Sequence, residues 1–262
     1  LAMDDPEAMH WLRNSVRLDE KNPETRPIAE AIAVLTGERR TVDRASVPSR
    51  ALQPEPVTVA LTRRRLGSTD LWVSPLAISG VTDLPQRTLE RAIAAGVNLF
   101  FWEPGYEALT RLVWTHRRHL HVVTGSYEAD RPSITADVER ALRRLKTDCL
   151  DVFLLFWVRS AERLSDEVRK TLADLKAQGK IRAAGFSTHD RSLAESVVEA
   201  GGWDVLMTRH SAAHPSAEQS LFPRCAARGT GLLTFSATSY GRLLRPLPGR
   251  GPLPIRPTAV DC

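Results

Sequence analysis

The chain has 262 residues, of which 42% are hydrophobic and 26% charged, with a mean hydropathy of −0.23. This balance excludes a disordered protein and leaves room for one or two domains with a real core, close to the ~250 residues of a complete (β/α)8 barrel. The longest apolar run, Val152 to Val158, suits one buried strand and falls far short of the ~18 residues of a membrane span.

The net charge of +5 invites a nucleic-acid reading, but five of the 36 basic residues are lysines and the other 31 are arginines scattered among acids. Glu139 and Arg143 illustrate this as an i,i+4 helical pair. The one tight run, Arg63 to Arg65, lacks interleaved aromatics, so a solvated surface is the better account and no nucleic-acid partner is expected. Cys149, Cys225 and Cys262 are widely spaced without a CxxC, as reduced thiols in a cytoplasmic protein would be, which argues against a disulfide framework or zinc site. The N-terminus carries Asp4, Asp5 and Glu7 instead of a basic-then-apolar secretion signal, and no membrane partner is expected.

In chain order, Met9, Leu12 and Val16 form one possible helical stripe, and after Asn22-Pro23, Ile28, Ile32 and Leu35 form another that Gly37 stops. The stretch from Trp11 to Pro23 resembles the second helix and closing turn of a tetratricopeptide repeat; a plain amphipathic extension accounts for it equally well. Residues 41–60, with Pro48, Pro54 and Pro56, read as a linker. Residues 1–60 are therefore expected to be a helical extension and linker, and 61–262 a barrel.

From Arg63 the texture becomes regular. A hairpin is expected at Leu66-Gly67 and Leu71–Val73 around Ser68-Thr69-Asp70. Strand-like and helical segments then alternate: 76–79 and 84–95, 98–102 and 107–116, 120–124 and 134–146, 150–157 and 164–178, 181–186 and 193–200, 203–208 and 217–227, then 231–236. Ile134, Val138, Leu142 and Leu145 share one helix face, with Ser133 as the expected N-cap; Gly179 suits the left-handed position closing the helix of Leu164 to Leu175. Short, almost wholly apolar strands in strict alternation with helices imply a parallel sheet with right-handed crossovers. Seven such strands fit an α/β fold of the (β/α)8 TIM-barrel type with seven of eight strands present. No GxGxxG follows a strand and no GxxxxGK[ST] exists, which argues against Rossmann and P-loop folds. In a barrel the chemistry belongs at the C-terminal strand ends.

There the residues resemble the aldo-keto reductase superfamily. The opening hairpin Arg65-Leu-Gly-Ser-Thr-Asp-Leu-Trp-Val-Ser74, the strand entry Ala95–Phe100, the segment Ala141–Leu155 and the stretch Gly179–Asp190 are each similar to motifs of that family, in order. The resemblance implies a carbonyl–alcohol oxidoreductase using NADP and a small-molecule carbonyl substrate. In the family, an Asp, a Tyr, a Lys and a His form the site, the Tyr giving a proton to the developing alkoxide. Tyr106 matches the Tyr, whereas the Asp falls at Phe101, the Lys at Gly125 and the His at Phe156. The catalytic set is thus degenerate, and a non-catalytic barrel serving as a binding or scaffold domain is the alternative.

Glu103 shares a strand face with Phe101 and would bring a carboxylate to Tyr106; a solvated glutamate beside Pro104 is the preferred reading of it. The resemblance places Ser187 and Thr188 at the nicotinamide carboxamide and His210 against the nicotinamide ring. It places Phe235, Ser236, Gly241 and Arg242 in the loop over the cofactor pyrophosphate. His210 and His214 lack the intervening Glu of an HExxH helix, so no metal is expected. The chain ends in a Pro- and Gly-rich stretch after Leu243, before the family's eighth strand, and a fragment of a longer protein is expected.

Overall fold

Every barrel strand is laid down by a short apolar run whose side chains alternate between two hydrophobic layers. The structure, a computed structural model, describes residues 61–80 and 84–239. The expected N-terminal helices, the linker and the Pro-rich end lie outside them, as do Gly241 and Arg242.

A small antiparallel hairpin comes first, pairing β1 (Arg64–Arg65) with β2 (Trp72–Val73). Gly67 adopts a φ of 57°, and a Cβ there would stand 2.2 Å from the Gly231 nitrogen, so only glycine lets the turn approach so closely. Seven parallel strands follow in sequential order: β3 (Ala77–Ser79), β4 (Leu99–Phe101), β5 (His121–Ser126), β6 (Leu150–Leu155), β7 (Ile181–Thr188), β8 (Val205–Arg209) and β9 (Gly231–Phe235). Between them run α1 (Gln86–Ala94), α2 (Glu107–His116), α3 (Arg131–Leu145), α4 (Asp166–Ala177), α5 (Arg191–Ala200) and α6 (Leu221–Arg228). This is the α/β barrel order that the alternation implied, with sequential parallel neighbours.

Local differences from the expected elements have plain causes. Helix α3 starts three residues earlier than its apolar stripe, because Asp130 and not Ser133 is the cap: its carboxylate accepts the Ser133 N–H at 2.9 Å. The segment before α6 is a separate 3-10 turn, Pro215–Gln219, and another, Ala161–Leu164, precedes α4. Gly179 takes a φ of 72° behind α4, as expected of a left-handed closing residue. Glu139 meets Lys180 across 41 residues.

Two packing layers set the site. Phe100, Trp102, Val122, Phe153, Leu155, Phe186 and Leu206 point outward into a buried cluster shared with the helices. Leu99, Val123, Val152, Leu154, Phe156, Ala183 and Val205 point inward, where Leu66, Leu71 and Val73 of the hairpin plug the N-terminal end. Strand alternation makes the two sets mutually exclusive, so a residue's parity decides which layer it serves. Among the described residues, no helix is long and apolar enough to cross a membrane, and no group of three or more His, Cys, Asp or Glu is placed to hold a metal ion.

Candidate functional site

Extending the inward series of each strand to its C-terminal end names the residues of the mouth. From β3 it reaches Ser79, from β4 Phe101 and Glu103, from β5 Gly125 and Tyr127, and from β6 Phe156. From β7 it reaches Ser187 and His189, from β8 Arg209, and from β9 Phe235.

One half of this rim is aromatic and acidic. The rings of Phe101 and Phe156 lie 5.4 Å apart, and Tyr127 lies 5.1 Å from Phe156, both in tilted arrangements. Gly125 lies against this aromatic wall, where a Cβ would stand 2.9 Å from Cε1 of Phe156. The three positions where the resemblance would put an Asp, a Lys and a His are therefore apolar or bare. Tyr106 caps α2, its ring over Gly80, and its Oη donates to Glu103 Oε2 at 3.2 Å. Tyr127 donates to Glu103 Oε1 at 3.0 Å. The preferred reading of Glu103 as a solvated turn residue is thus overturned: its two oxygens hold two phenols. Tyr127 comes from a neighbouring strand 24 residues away, which no local pattern shows.

The electrostatics follow from that arrangement. Burial, then the charge of Glu103 and its hydrogen bond, push Tyr106 up to about 12, the Ser79 hydroxyl opposing them. Burial and Glu103 push Tyr127 up in the same order. Both phenols stay protonated throughout the neutral range and serve as donors or relays, not as phenolates.

The other half of the rim is cationic. Arg209 and Phe235 are direct cross-strand partners, and the His189 ring meets Phe235 edge-on at 4.9 Å. Desolvation first, then the charges of Arg209 and Arg159, hold His189 below its ordinary value of 6.5, so it is predominantly neutral at pH 7. Arg159 stacks over Trp157 with its guanidinium carbon 4.1 Å from the ring centroid. Trp157 itself takes a φ of 52°, and its N–H donates to Ser187 Oγ at 2.9 Å. That bond uses an oxygen lone pair and leaves the Ser187 hydrogen to donate into the mouth.

Two residues expected at a cofactor sit in the other layer. Thr188 has the parity of Ala184 and Phe186; it is fully buried, and its Oγ accepts the Asp190 N–H at 3.0 Å, which ties the turn into α5. His210 has the parity of Leu206: its ring packs on Phe222 of α6 at 4.9 Å, and its Nε2 meets Glu218 at 2.8 Å. Arg209, one residue earlier, faces the mouth instead. The inward series starting at Val205 carries that signal in the sequence, whereas motif alignment alone does not. Ser236 follows Phe235 with a φ of 61°. Phe235 closes β9 with Ser236 after it, and Ser187 lies near the end of β7, with β8 between them, while Tyr106 meets Ser79 of β3.

Comparison with known proteins agrees with this fold. The model of the aldo/keto reductase family matches residues 110–246. The NADH-specific methylglyoxal reductase of Escherichia coli K12 is 27% identical over 221 residues, which make up 68% of this chain and 68% of that protein. The chain spans about a third of two aldo-keto reductases of Alternaria alternata, 33% and 34% of their length, at 31% and 30% identity. Among solved structures, the holo form of a Bacillus halodurans aldo-keto reductase is similar with a TM-score of 0.64 and 23% identity, over 75% of this chain and 74% of that one. A Klebsiella pneumoniae aldo/keto reductase in complex with NADP and acetate gives a TM-score of 0.58 and 21% identity, over 70% of each chain. At those identities the two structures speak to the fold.

Proposed function

The chain belongs to the aldo/keto reductase family, and from that premise we propose that it exchanges a hydride between a nicotinamide cofactor and a small carbonyl compound or its alcohol. The observation that carries the reading is Tyr106 at the C-terminal mouth of the barrel, its hydroxyl anchored 3.2 Å from Glu103. The E. coli relative is by name a methylglyoxal reductase, which favours a small carbonyl as the substrate class here.

The donor set of the cationic half suits a nicotinamide dinucleotide. The Ser187 hydroxyl suits a carboxamide, the half-buried Phe235 ring offers a flat apolar face, and Arg209 and Arg159 suit phosphate. Ser236 adjoins them, and Gly241 and Arg242 are kept in the proposed set by resemblance. Such a cofactor, when bound, supplies or accepts the hydride. NADP(H) is the cofactor the resemblance implies, whereas the relative's name specifies NADH, so both belong in the test. The chain's own residues orient the carbonyl carbon, exclude water with Phe101 and Phe156, and hold a proton at Tyr106 Oη. In the same proposal, residues 61–262 form the catalytic barrel of a cytoplasmic protein and 1–60 an extension of it.

Phe101, Gly125 and Phe156 favour a second reading, a barrel that binds without turnover. A direct test is oxidation of NADPH and of NADH in the presence of small aldehydes, with wild type and Tyr106→Phe. The proposal expects turnover that drops by about 100-fold in the variant, the scale of a lost proton donor. Absence of turnover with either cofactor would leave the binding barrel as the account.

A further inference from the structure

We propose that Glu103, joined by Tyr127, is the proton-handling group of this site, receiving through Tyr106 the proton of a bound alcohol. This rests on the nicotinamide-dependent reading above and adds to it residues that the resemblance does not supply.

Hydrogen counting motivates the assignment. A phenol has one hydrogen, and those of Tyr106 and Tyr127 are both directed at Glu103, at 3.2 and 3.0 Å. The Ser79 hydroxyl approaches one lone pair of Tyr106 Oη, so what Tyr106 offers the mouth is the other, an acceptor. An alcohol O–H fits that lone pair; a carbonyl oxygen meets like partial charge until Glu103 has taken a proton or the phenol turns. Among the described residues, no cation stands where the resemblance would put the one that makes Tyr106 a better acid. Gly125 carries no side chain, and Phe156 fills the adjoining space with a ring 5% exposed. The displacement of Tyr106 to about 12 agrees with a carboxylate neighbour in place of a cation.

The alcohol O–H bond breaks, and its proton goes to Tyr106 Oη while the Tyr106 proton goes to Glu103 Oε2. The carbinol C–H bond breaks with its electron pair leaving as hydride to the oxidised nicotinamide dinucleotide, so the alcohol is oxidised to the carbonyl and the dinucleotide is reduced. Glu103 then releases the proton to water. Microscopic reversibility makes protonated Glu103 the source of the proton in carbonyl reduction. Tyr127 is a positioning residue: its bond to Oε1 fixes the carboxylate so that Oε2 faces Tyr106.

The experiment uses the full chain with Glu103→Gln, Tyr106→Phe and Tyr127→Phe, and has two readouts. The first is phenolate absorbance against pH without any cofactor. Glu103→Gln should bring the Tyr106 ionisation down from about 12 toward the ordinary 10, with Tyr106→Phe assigning the signal. The second is steady-state turnover in both directions. Glu103→Gln should lower kcat/KM by about 100-fold for the alcohol and for the carbonyl alike. Tyr127→Phe should lower kcat by a smaller factor at nearly unchanged KM. Wild-type turnover that survives Glu103→Gln would overturn the relay while leaving the oxidoreductase reading intact. An unmoved phenol titration would overturn the carboxylate–phenol coupling itself. No turnover of any alcohol or carbonyl by the wild type would sink the oxidoreductase reading and the relay with it.

Discussion

Replacing Asp151 with asparagine is expected to remove ~1.5–3 kcal/mol of stability, the cost of taking a charged acceptor from the half-buried Arg117 and Arg182. Asp151 is 2% exposed on β6, at the N-terminal end of the barrel. Its carboxylate accepts the Val122 N–H at 2.9 Å and meets Arg117 at 2.9 Å, Arg182 at 3.0 Å and His121 at 3.1 Å. Arg182 reaches on to Asp70 of the hairpin at 2.7 Å, so one buried carboxylate ties β5, β6, β7 and the hairpin plug together. Burial alone would raise the Asp151 pKa; the His121 bond, the Arg117 charge and the Val122 N–H outweigh it and hold the carboxyl below its ordinary 3.8.

The sign of the pH effect follows from that depression. A carboxyl whose pKa is lower in the folded state adds stability that is complete above 3.8 and is lost as pH falls through the lowered folded value. Urea unfolding from pH 7 down to pH 2 should show Asp151→Asn less stable at pH 7 with an unchanged slope, and less sensitive to acid. Equal stability of the two proteins at pH 7 would show that Asp151 is dispensable to the barrel floor.

Gly125→Lys, which puts a lysine where the resemblance places one, is expected to unfold the barrel instead of improving the site. A Cβ at this position would lie 2.0 Å from the Leu154 carbonyl oxygen, and Leu154 is the direct β6 partner of Gly125. It would also lie 2.9 Å from Cε1 of Phe156. Backbone cannot give way as a side chain can, so even Gly125→Ala should cost the upper end of the overpacking range, ~3 kcal/mol. Phe156→Ala in the same chain should relieve only the ring contact, giving a coupling of about 1 kcal/mol in a double-mutant cycle by thermal or urea melts. A Gly125→Lys protein as stable as wild type would mean that the strand relaxes around the new side chain.

The fold was legible because each strand is a short apolar run and each helix an amphipathic stripe, from Leu99 to Leu233. The cap of α3 was misplaced by three residues because Ser133 stands next to the apolar stripe while Asp130 does the capping. The placement of Ser187 at the mouth follows from motif and parity together, and that of Tyr106 beside Ser79 and Glu103 from its motif. For Thr188 and His210 motif and parity disagree, and the alternation from Ala183 and Val205 turns them into the helix layer. Arg209 follows from the same alternation. The partnership of Glu103 with Tyr127 required tertiary structure, since the two lie just past the ends of β4 and β5 and meet only when those strands pair.

On the proposed function, the cationic half of the inward-facing rim holds a nicotinamide dinucleotide. The most direct test of that placement is titration of the chain with NADPH and with NADH, followed by the fluorescence of Trp157, which lies beside Ser187. Saturable quenching is expected, weakened by about 10-fold or more in Arg209→Ala, the scale of a lost charge-assisted hydrogen bond, and little changed in His210→Ala. Absence of binding by either dinucleotide at millimolar concentration would contradict the account.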